Sequence, residues 1–402
     1  MSDWREIELG DFLTFQRGFD IVKRDMKEDG LYNVIFSSGF GGKHTEFKVK
    51  APGVIVGRKG TLGSVFYSDT DFWPTDTTLW IKDFHGNNPK FAYYFLPTLR
   101  FEQYDCGSAN PTLNRNHIHT IEIRIPTSLG EQANIAAILS SLDRKISNLR
   151  QQNETLEAIA QTLFKHWFVD FEFPNEDGKP YRLSGGEMVR SDLGKIPAGW
   201  RVGKLKDFCD VRHGYAFKGE FITTEETDQI LLTPRNFRIG GGFNSSKYKY
   251  YSNYDYDEEY VLAPGDLIVT MTDLSKEGDT LGCPAFVPKY SENAFLHNQR
   301  LGKIVDSQID LFFLFFLLCQ REYRSHILGT ASGSTVRHTS PSRILDYKFA
   351  VPGRELLERF SLITSNLICK SFSNHEQIQT LTKTRDRLLP KLMSGQLRIT
   401  ES

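Results

Sequence analysis

What the sequence lacks narrows the field first. Its five cysteines (Cys106, Cys209, Cys283, Cys319 and Cys369) are scattered through 402 residues with no CxxC pair. That spacing excludes a zinc ribbon or a disulfide framework and predicts free thiols in a reducing cytoplasm. The longest apolar run, Leu311 to Cys319, is far too short to span a bilayer. The start, MSDWREIELGD, is polar and acidic and reads as no secretory signal. An excess of basic charge is missing too: 49 Lys and Arg oppose 50 Asp and Glu, for a net charge of −1. Nucleic-acid binders often carry a basic surplus. Any DNA contact must therefore rest on local positive charge or on a partner.

Signature motifs of catalysis are also missing. No GxxxxGK(S/T) phosphate loop occurs, so ATP binding has no support. A DNA amino-methyltransferase needs an (N/D)PP(Y/F) string. The nearest is Asn110-Pro111-Thr112-Leu113, which lacks the second proline and the aromatic. Gly39-Phe-Gly-Gly42 and Gly240-Gly-Gly242 read as turns, not cofactor loops. His117-Ile-His119 could place two imidazoles on one strand face, but without a cysteine or carboxylate partner. No catalytic, cofactor-binding or metal-binding residue is expected in this chain.

What the chain does have is an internal repeat. Trp4-Arg-Glu-Ile-Glu-Leu-Gly-Asp-Phe12 returns as Trp200-Arg-Val-Gly-Lys-Leu-Lys-Asp-Phe208. Arg17-Gly-Phe19 is echoed by the Gly-aromatic segment His213-Gly-Tyr-Ala-Phe217, and Ala51-Pro-Gly-Val-Ile-Val56 by Ala263-Pro-Gly-Asp-Leu-Ile-Val269. Phe91 to Leu96 is echoed by Phe312 to Leu317, and Gly107 to Leu113 by Thr330 to Val336. Each copy closes on a segment ending in proline, at Pro126 and Pro352, and the second is longer by about 30 residues, mostly before Leu311. Short β-branched and aromatic runs broken by Gly, Pro and Asn read as strands and turns.

A helical segment follows each copy. Ile135, Leu139, Leu142, Ile146, Leu149, Asn153, Leu156, Ala160, Leu163 and Trp167 alternate at spacings of four and three, a coiled-coil seam. Run on to Asp170, that helix is roughly 60 Å long. Asn153 on the seam is a candidate register key, or a solvated residue at its edge. Leu356, Phe360, Ile363, Leu367, Asn374, Ile378, Leu381 and Leu388 form a looser second seam, which Pro390 is expected to end. The fold class that follows is α+β. Two pseudo-repeated mixed α/β domains (1–128 and 200–353) are separated and joined by two long coiled-coil helices (129–172 and 354–398). A Pro/Gly-rich linker covers 173–199.

Three segments at the junctions carry a resemblance. Ala160-Gln-Thr-Leu-Phe-Lys-His-Trp-Phe-Val-Asp-Phe-Glu-Phe-Pro174 resembles the end of the central helical region of type I restriction-modification specificity subunits. Leu193-Gly-Lys-Ile-Pro-Ala-Gly-Trp-Arg201 resembles the start of their second recognition domain. Leu388-Leu-Pro-Lys-Leu-Met-Ser-Gly-Gln-Leu397 resembles the end of their distal helical region. The likeness covers essentially the whole chain. It implies a non-catalytic bacterial or archaeal subunit whose two target recognition domains each read one half of a split double-stranded DNA site, the two long helices packing antiparallel and fixing the gap. It implies two methyltransferase subunits docked on the helices and two ATP-dependent restriction-translocase subunits. S-adenosylmethionine, ATP and Mg belong to those partners, and none to this chain. A tandem reader of this kind addresses DNA as a symmetric dimer does, but with different half-sites. Two other readings stay open: a self-sufficient DNA methyltransferase or nuclease with duplicated recognition domains, and a coiled-coil scaffold without DNA contact.

Base readout needs Arg, Lys, Asn, Gln, Ser or Thr on loops, with cations for phosphates. In the first copy the candidates are Arg17, Lys23, Arg24, Lys43, His44, Arg58, Lys59, Ser108, Asn110, Thr112, Asn114 and Arg115. In the second they are Lys218, Arg235, Asn236, Asn298, Gln299, Arg300, Ser332, Ser334, Thr335, Arg337 and His338. The polar stretches Ser108–Arg115 and Ser332–His338 occupy matching repeat positions, although a capped turn before each closing strand explains them equally well.

Overall fold

A computed structural model describes residues 4–105, 111–288 and 293–399. The chain falls into two compact units, Met1–Asn148 with Ile378–Ser402 (unit 1) and Leu149–Gln377 (unit 2). Up to the first long helix the elements are β1 (Trp4–Glu8), α1 (Leu9–Phe12), β2 (Thr14–Arg17), β3 (Tyr32–Phe36), β4 (Gly39–His44), β5 (Gly53–Gly57), β6 (Val65–Ser68), β7 (Phe72–Pro74), β8 (Thr78–Asp83), α2 (Pro89–Phe95), α3 (Arg115–His119), β9 (Glu122–Pro126) and α4 (Leu129–Phe164). Next come β10 (Met188–Ser191), β11 (Gly194–Pro197), β12 (Arg201–Lys204), β13 (Asp210–His213), β14 (Ile222–Thr223), β15 (Gln229–Leu231), β16 (Lys249–Tyr251), β17 (Val261–Leu262), β18 (Leu267–Thr270), β19 (Thr272–Asp273), β20 (Pro284–Phe286), β21 (Ala294–Leu296) and β22 (Leu301–Val305). The chain closes with α5 (Leu311–Leu318), α6 (Arg321–Thr330), β23 (Arg337–His338), α7 (Pro341–Leu345), β24 (Lys348–Val351) and α8 (Arg354–Met393).

In unit 1 the repeat motif Trp4–Phe12 forms β1, which pairs antiparallel with β9, and then α1. An antiparallel sheet of order β2-β8-β5-β6 follows. Its inner strand β5, Gly-Val-Ile-Val-Gly, is buried at every residue, as a strand covered on both faces must be. A second sheet, β4-β3-β7, contains the parallel pair β3–β7. Helix α2 starts where the Asn88 carboxamide accepts the Lys90 and Phe91 amides, with Pro89 at its first position. Its Phe91 and Phe95 meet Phe12 edge-on at 6.1 and 5.7 Å. Each such ring is worth roughly 1.5–3 kcal/mol of burial.

The first turns of α4 and the last of α8 complete that core. Ile135, Leu139, Leu392 and Met393 share one buried cluster with Phe12 and Phe91. Asp143 accepts from Tyr94 Oη at 2.7 Å and from Arg385 Nη1 at 2.7 Å, pinning α8 antiparallel to α4 within the unit. Pro390 does not end α8, which runs on to Met393. Proline removes its own amide bond and crowds the carbonyl of Asp386 without stopping the helix, and the chain turns off at Gly395, whose φ of +74° suits a left-handed cap.

Unit 2 repeats the plan. β12 pairs with β24 as β1 does with β9, and the sheet β13-β22-β18-β20 has the order of β2-β8-β5-β6. β15 pairs antiparallel with β16 and parallel with β21, as β3 does with β4 and β7. The added length builds the wider sheet β14-β16-β15-β21-β17 and, after α5, the helix α6. The segment expected as a linker carries the β10–β11 hairpin, and Phe173 stacks between Tyr181 at 4.5 Å and Trp200 at 5.4 Å.

Along the unit 2 portions of α4 and α8, Phe164 meets Phe360 at 5.7 Å. The buried carboxamides of Asn153 and Asn374 bond at 2.9 Å, so Asn153 is an interior residue. The expected seam position Ile363 is instead 42% exposed, and Thr364 is buried in its place. Thr364 can go inside because its hydroxyl bonds back to Phe360 O at 2.9 Å.

Candidate nucleic-acid interface

In unit 1 the turn between β7 and β8, Thr75-Asp76-Thr77, braces the loops on either side of it. Phe19 N–H donates to Pro74 O and Gly18 N–H to Thr78 O, while the Arg58 and Lys59 amides both donate to Thr77 O. The close fit needs Gly18, since a Cβ there would sit 2.1 Å from Thr75 O. From this frame three cations converge on one residue. Arg17 Nη2 is 3.5 Å from Asp76 Oδ2, Lys59 Nζ is 4.0 Å from the same oxygen, and Arg58 Nη1 donates to Asp76 O at 3.3 Å. Burial, with Arg17 nearby, lowers the Arg58 pKa, and Asp76 counters it. Thr112 joins the rim by pairing with Lys59, and the Leu113 amide bonds Arg58 O at 2.9 Å. Asn114 then caps α3 through the Asn116 amide, and Arg115 is exposed in its first turn.

Unit 2 holds the same backbone device. The Tyr215 amide donates to His297 O, Gly214 to Leu301 O and Met271 to Arg300 O. A Cβ on Gly214 would lie 2.3 Å from Asn298 O. Thr272 pairs with His338 where Lys59 pairs with Thr112, and the Thr339 amide bonds Met271 O as Leu113 bonds Arg58 O. These bonds set an equivalence residue by residue. Arg17 corresponds to His213, Arg58 to Met271, Lys59 to Thr272, Asp76 to Gln299, Thr77 to Arg300 and Thr112 to His338. The sequence echo of Gly107 to Leu113 in Thr330 to Val336 instead aligns Thr112 with Thr335. The polar stretch has no periodic marker, and the hairpin Ser332–His338, turned at Gly333 with φ +90°, shifts the register by three.

The remaining candidates divide by environment. Gln299 and Arg300 are exposed on the unit 2 rim. Arg337 Nε donates to Lys276 O at 3.1 Å, and His338 Nδ1 lies 3.2 Å from Thr272 Oγ1. Ser332 accepts from Arg343 at 3.1 Å, and Ser334 and Thr335 are exposed at the hairpin tip. Lys218, Arg235 and Lys43 are exposed away from these pairings, and Arg24 sits 3.7 Å from Asp25. Ser108, Asn110 and the Lys23 side chain lie outside the described residues.

Three candidates are corrected. His44 is buried against Trp73 at 4.5 Å, and its Nδ1 accepts the Glu46 amide. Asn236 is wholly buried, donating to Asn244 O and Lys247 O. The Asn298 carboxamide is buried and accepts the Arg300 amide. All three hold turns together, because a buried carboxamide or imidazole must find partners inside. His117-Ile-His119 is helical, in α3, not a strand, and the His119 ring accepts the Phe15 amide at 3.0 Å. Among the described residues no group of three or more His, Cys, Asp or Glu could hold a metal ion. Asp76, Thr272 and His213 were missed. The signal that could have found Asp76 is the repeat itself, since Asn298–Arg300 are candidates and the backbone bonds make Thr75–Thr77 their counterpart.

Comparison with known proteins places the chain among proteins of one kind. Residues 1–158 match the model of the type I restriction modification DNA specificity domain. The type I restriction enzyme MjaIX specificity subunit of Methanocaldococcus jannaschii is 30% identical over 78% of this chain and 70% of its own length. The HindI specificity subunit of Haemophilus influenzae is 23% identical over 99% of this chain and 100% of its own. A crystal structure of the type I restriction-modification S subunit from M. genitalium superposes with a TM-score of 0.64. It shares 16% identity and covers 100% of this chain and 97% of that one, a likeness of fold.

Proposed function

The chain belongs to the family of type I restriction enzyme specificity subunits, and from that premise we propose how it reads DNA. Unit 1 and unit 2 each read one half of a split double-stranded target, through the rims built by Arg17–Asp76–Thr112 and His213–Gln299–His338. The observation that carries this reading is one backbone device used twice with different side chains. Two identical rims would ask for two identical half-sites, whereas these two present different donors and acceptors to base edges.

The chain is non-catalytic in this reading. Two methyltransferase subunits dock on the helical regions and clamp the same DNA, and two restriction-translocase subunits complete the complex in the cytoplasm. S-adenosylmethionine, ATP and Mg are theirs. The near-zero net charge of this chain fits a reader whose phosphate affinity is largely supplied by partners. The helices set the gap between half-sites. α4 has 36 residues and α8 has 40, or about 54 and 60 Å of helix at ~1.5 Å per residue.

Two experiments test this. Purified chain with DNA, S-adenosylmethionine and Mg should leave the DNA unmodified and uncut, and should modify it once methyltransferase subunits are added. Modification by the chain alone would overturn the non-catalytic reading. Lengthening α4 and α8 in step should change the gap in the methylated motif, and an unaltered gap would defeat the ruler.

A further inference from the structure

We propose that Asp76 is a specificity-positioning residue of unit 1, holding Arg17 and Lys59 so that this unit reads a guanine in its half-site. The proposal rests on the reading of unit 1 as a half-site reader. A guanidinium presents two parallel donors that fit guanine O6 and N7. On an exposed loop, however, an arginine samples many rotamers, and discrimination suffers unless a fixed acceptor limits them. Asp76 supplies that acceptor. Its Oδ2 stands 3.5 Å from Arg17 Nη2 and 4.0 Å from Lys59 Nζ, and its own carbonyl holds Arg58 Nη1.

The turn that carries the carboxylate is itself braced. Thr75 and Thr77 on either side share a hydroxyl bond at 2.7 Å, Thr77 Oγ1 accepts the Ser37 amide, and Thr77 O accepts two further amides. Arg17 also reaches Asp20, whose side chain is 86% exposed and can yield to DNA without disturbing the frame. A carboxylate facing DNA is repelled by phosphates. Three cations around Asp76 leave the group positive and make that placement tolerable. Unit 2 has no counterpart, because Gln299, His213, Met271 and Thr272 occupy the equivalent places. The effect must therefore be confined to one half-site.

The test uses the chain assembled with its methyltransferase subunits. Binding is measured on duplexes carrying single base-pair changes throughout the methylated motif, for wild type, D76A, D76N and the double variant R17A/R58A. The near-isosteric D76N guards against loss of the loop, and melting temperatures report on folding. D76A should retain affinity for the cognate duplex within about three-fold. It should lose about ten-fold discrimination at one G·C pair of one half-site, with D76N intermediate. Unchanged discrimination at every position, or equal loss in both halves, overturns the proposal. If R17A/R58A loses discrimination and D76A does not, Asp76 alone is excluded. If R17A/R58A also changes nothing, the reading of this rim as a DNA reader fails.

Discussion

Arg17, Arg58 and Lys59 gather on Asp76 in unit 1, whereas the same four backbone positions in unit 2 carry His213, Met271, Thr272 and Gln299. The loops around them are tied by main-chain bonds, such as Arg58 N to Thr77 O and Met271 N to Arg300 O. Those bonds do not depend on the side chain present. Where side chains do matter is at Gly18 and Gly214, which touch the brace and are sterically dictated. A frame held by backbone leaves its rim free to change chemistry, which is what a reader of varied DNA sequences requires.

The comparison can be broken first through acid. His297, in the unit 2 brace, is buried, and that burial pushes its pKa down from 6.5 to about 4. The matching unit 1 residue is Pro74, which does not titrate. Below pH 6.5 the unfolded chain takes up this proton before the folded one. Stability present above that pH is therefore lost as pH falls towards 4, by about 3 kcal/mol. Urea midpoints at pH 7 and pH 4 should show that loss, and His297→Gln should reduce it. An equal loss in the variant would assign the acid sensitivity elsewhere.

A second break is steric. Gly18→Ala and Gly214→Ala should each cost about 1–3 kcal/mol, and by similar amounts, because each Cβ meets a backbone carbonyl of the same turn. Thermal unfolding that spares one of them would show that the braces are not equivalent. The smallest effects belong to single rim cations. Arg58→Ala should weaken DNA binding by the assembled methyltransferase about ten-fold, and Arg337→Ala by less, since its Nε is already engaged by Lys276 O. Unchanged affinity in both would remove them from the interface.

Much of the fold was legible because it is periodic or repeated. The seam from Ile135 in α4 to Trp167 in the turn just after it follows the 3.5-residue spacing, and Ile135, Leu139, Ile146, Leu149, Asn153, Ala160 and Trp167 are all buried. The second seam misled at Ile363, because a threonine that satisfies its own hydroxyl can be buried in place of an isoleucine. The rim was half legible. Polar residues between strands marked the loops that gather around each brace, but their type did not separate exposed Gln299 and Arg300 from buried His44, Asn236 and Asn298. Burial of those three is decided by turns that close over them, a tertiary outcome. Asp76 escaped because its role lies in neighbours brought from residues 17, 58 and 59, which no local pattern joins.

Long-read methylation mapping of cells expressing the methyltransferase subunits with this chain, or with its Arg17→Ala, Arg58→Ala, Lys59→Ala variant, tests the central claim most directly. A two-part motif that becomes degenerate in one half, with the other half and the gap unchanged, is the predicted result. An identical motif in both strains, or a motif that is not bipartite, would contradict it.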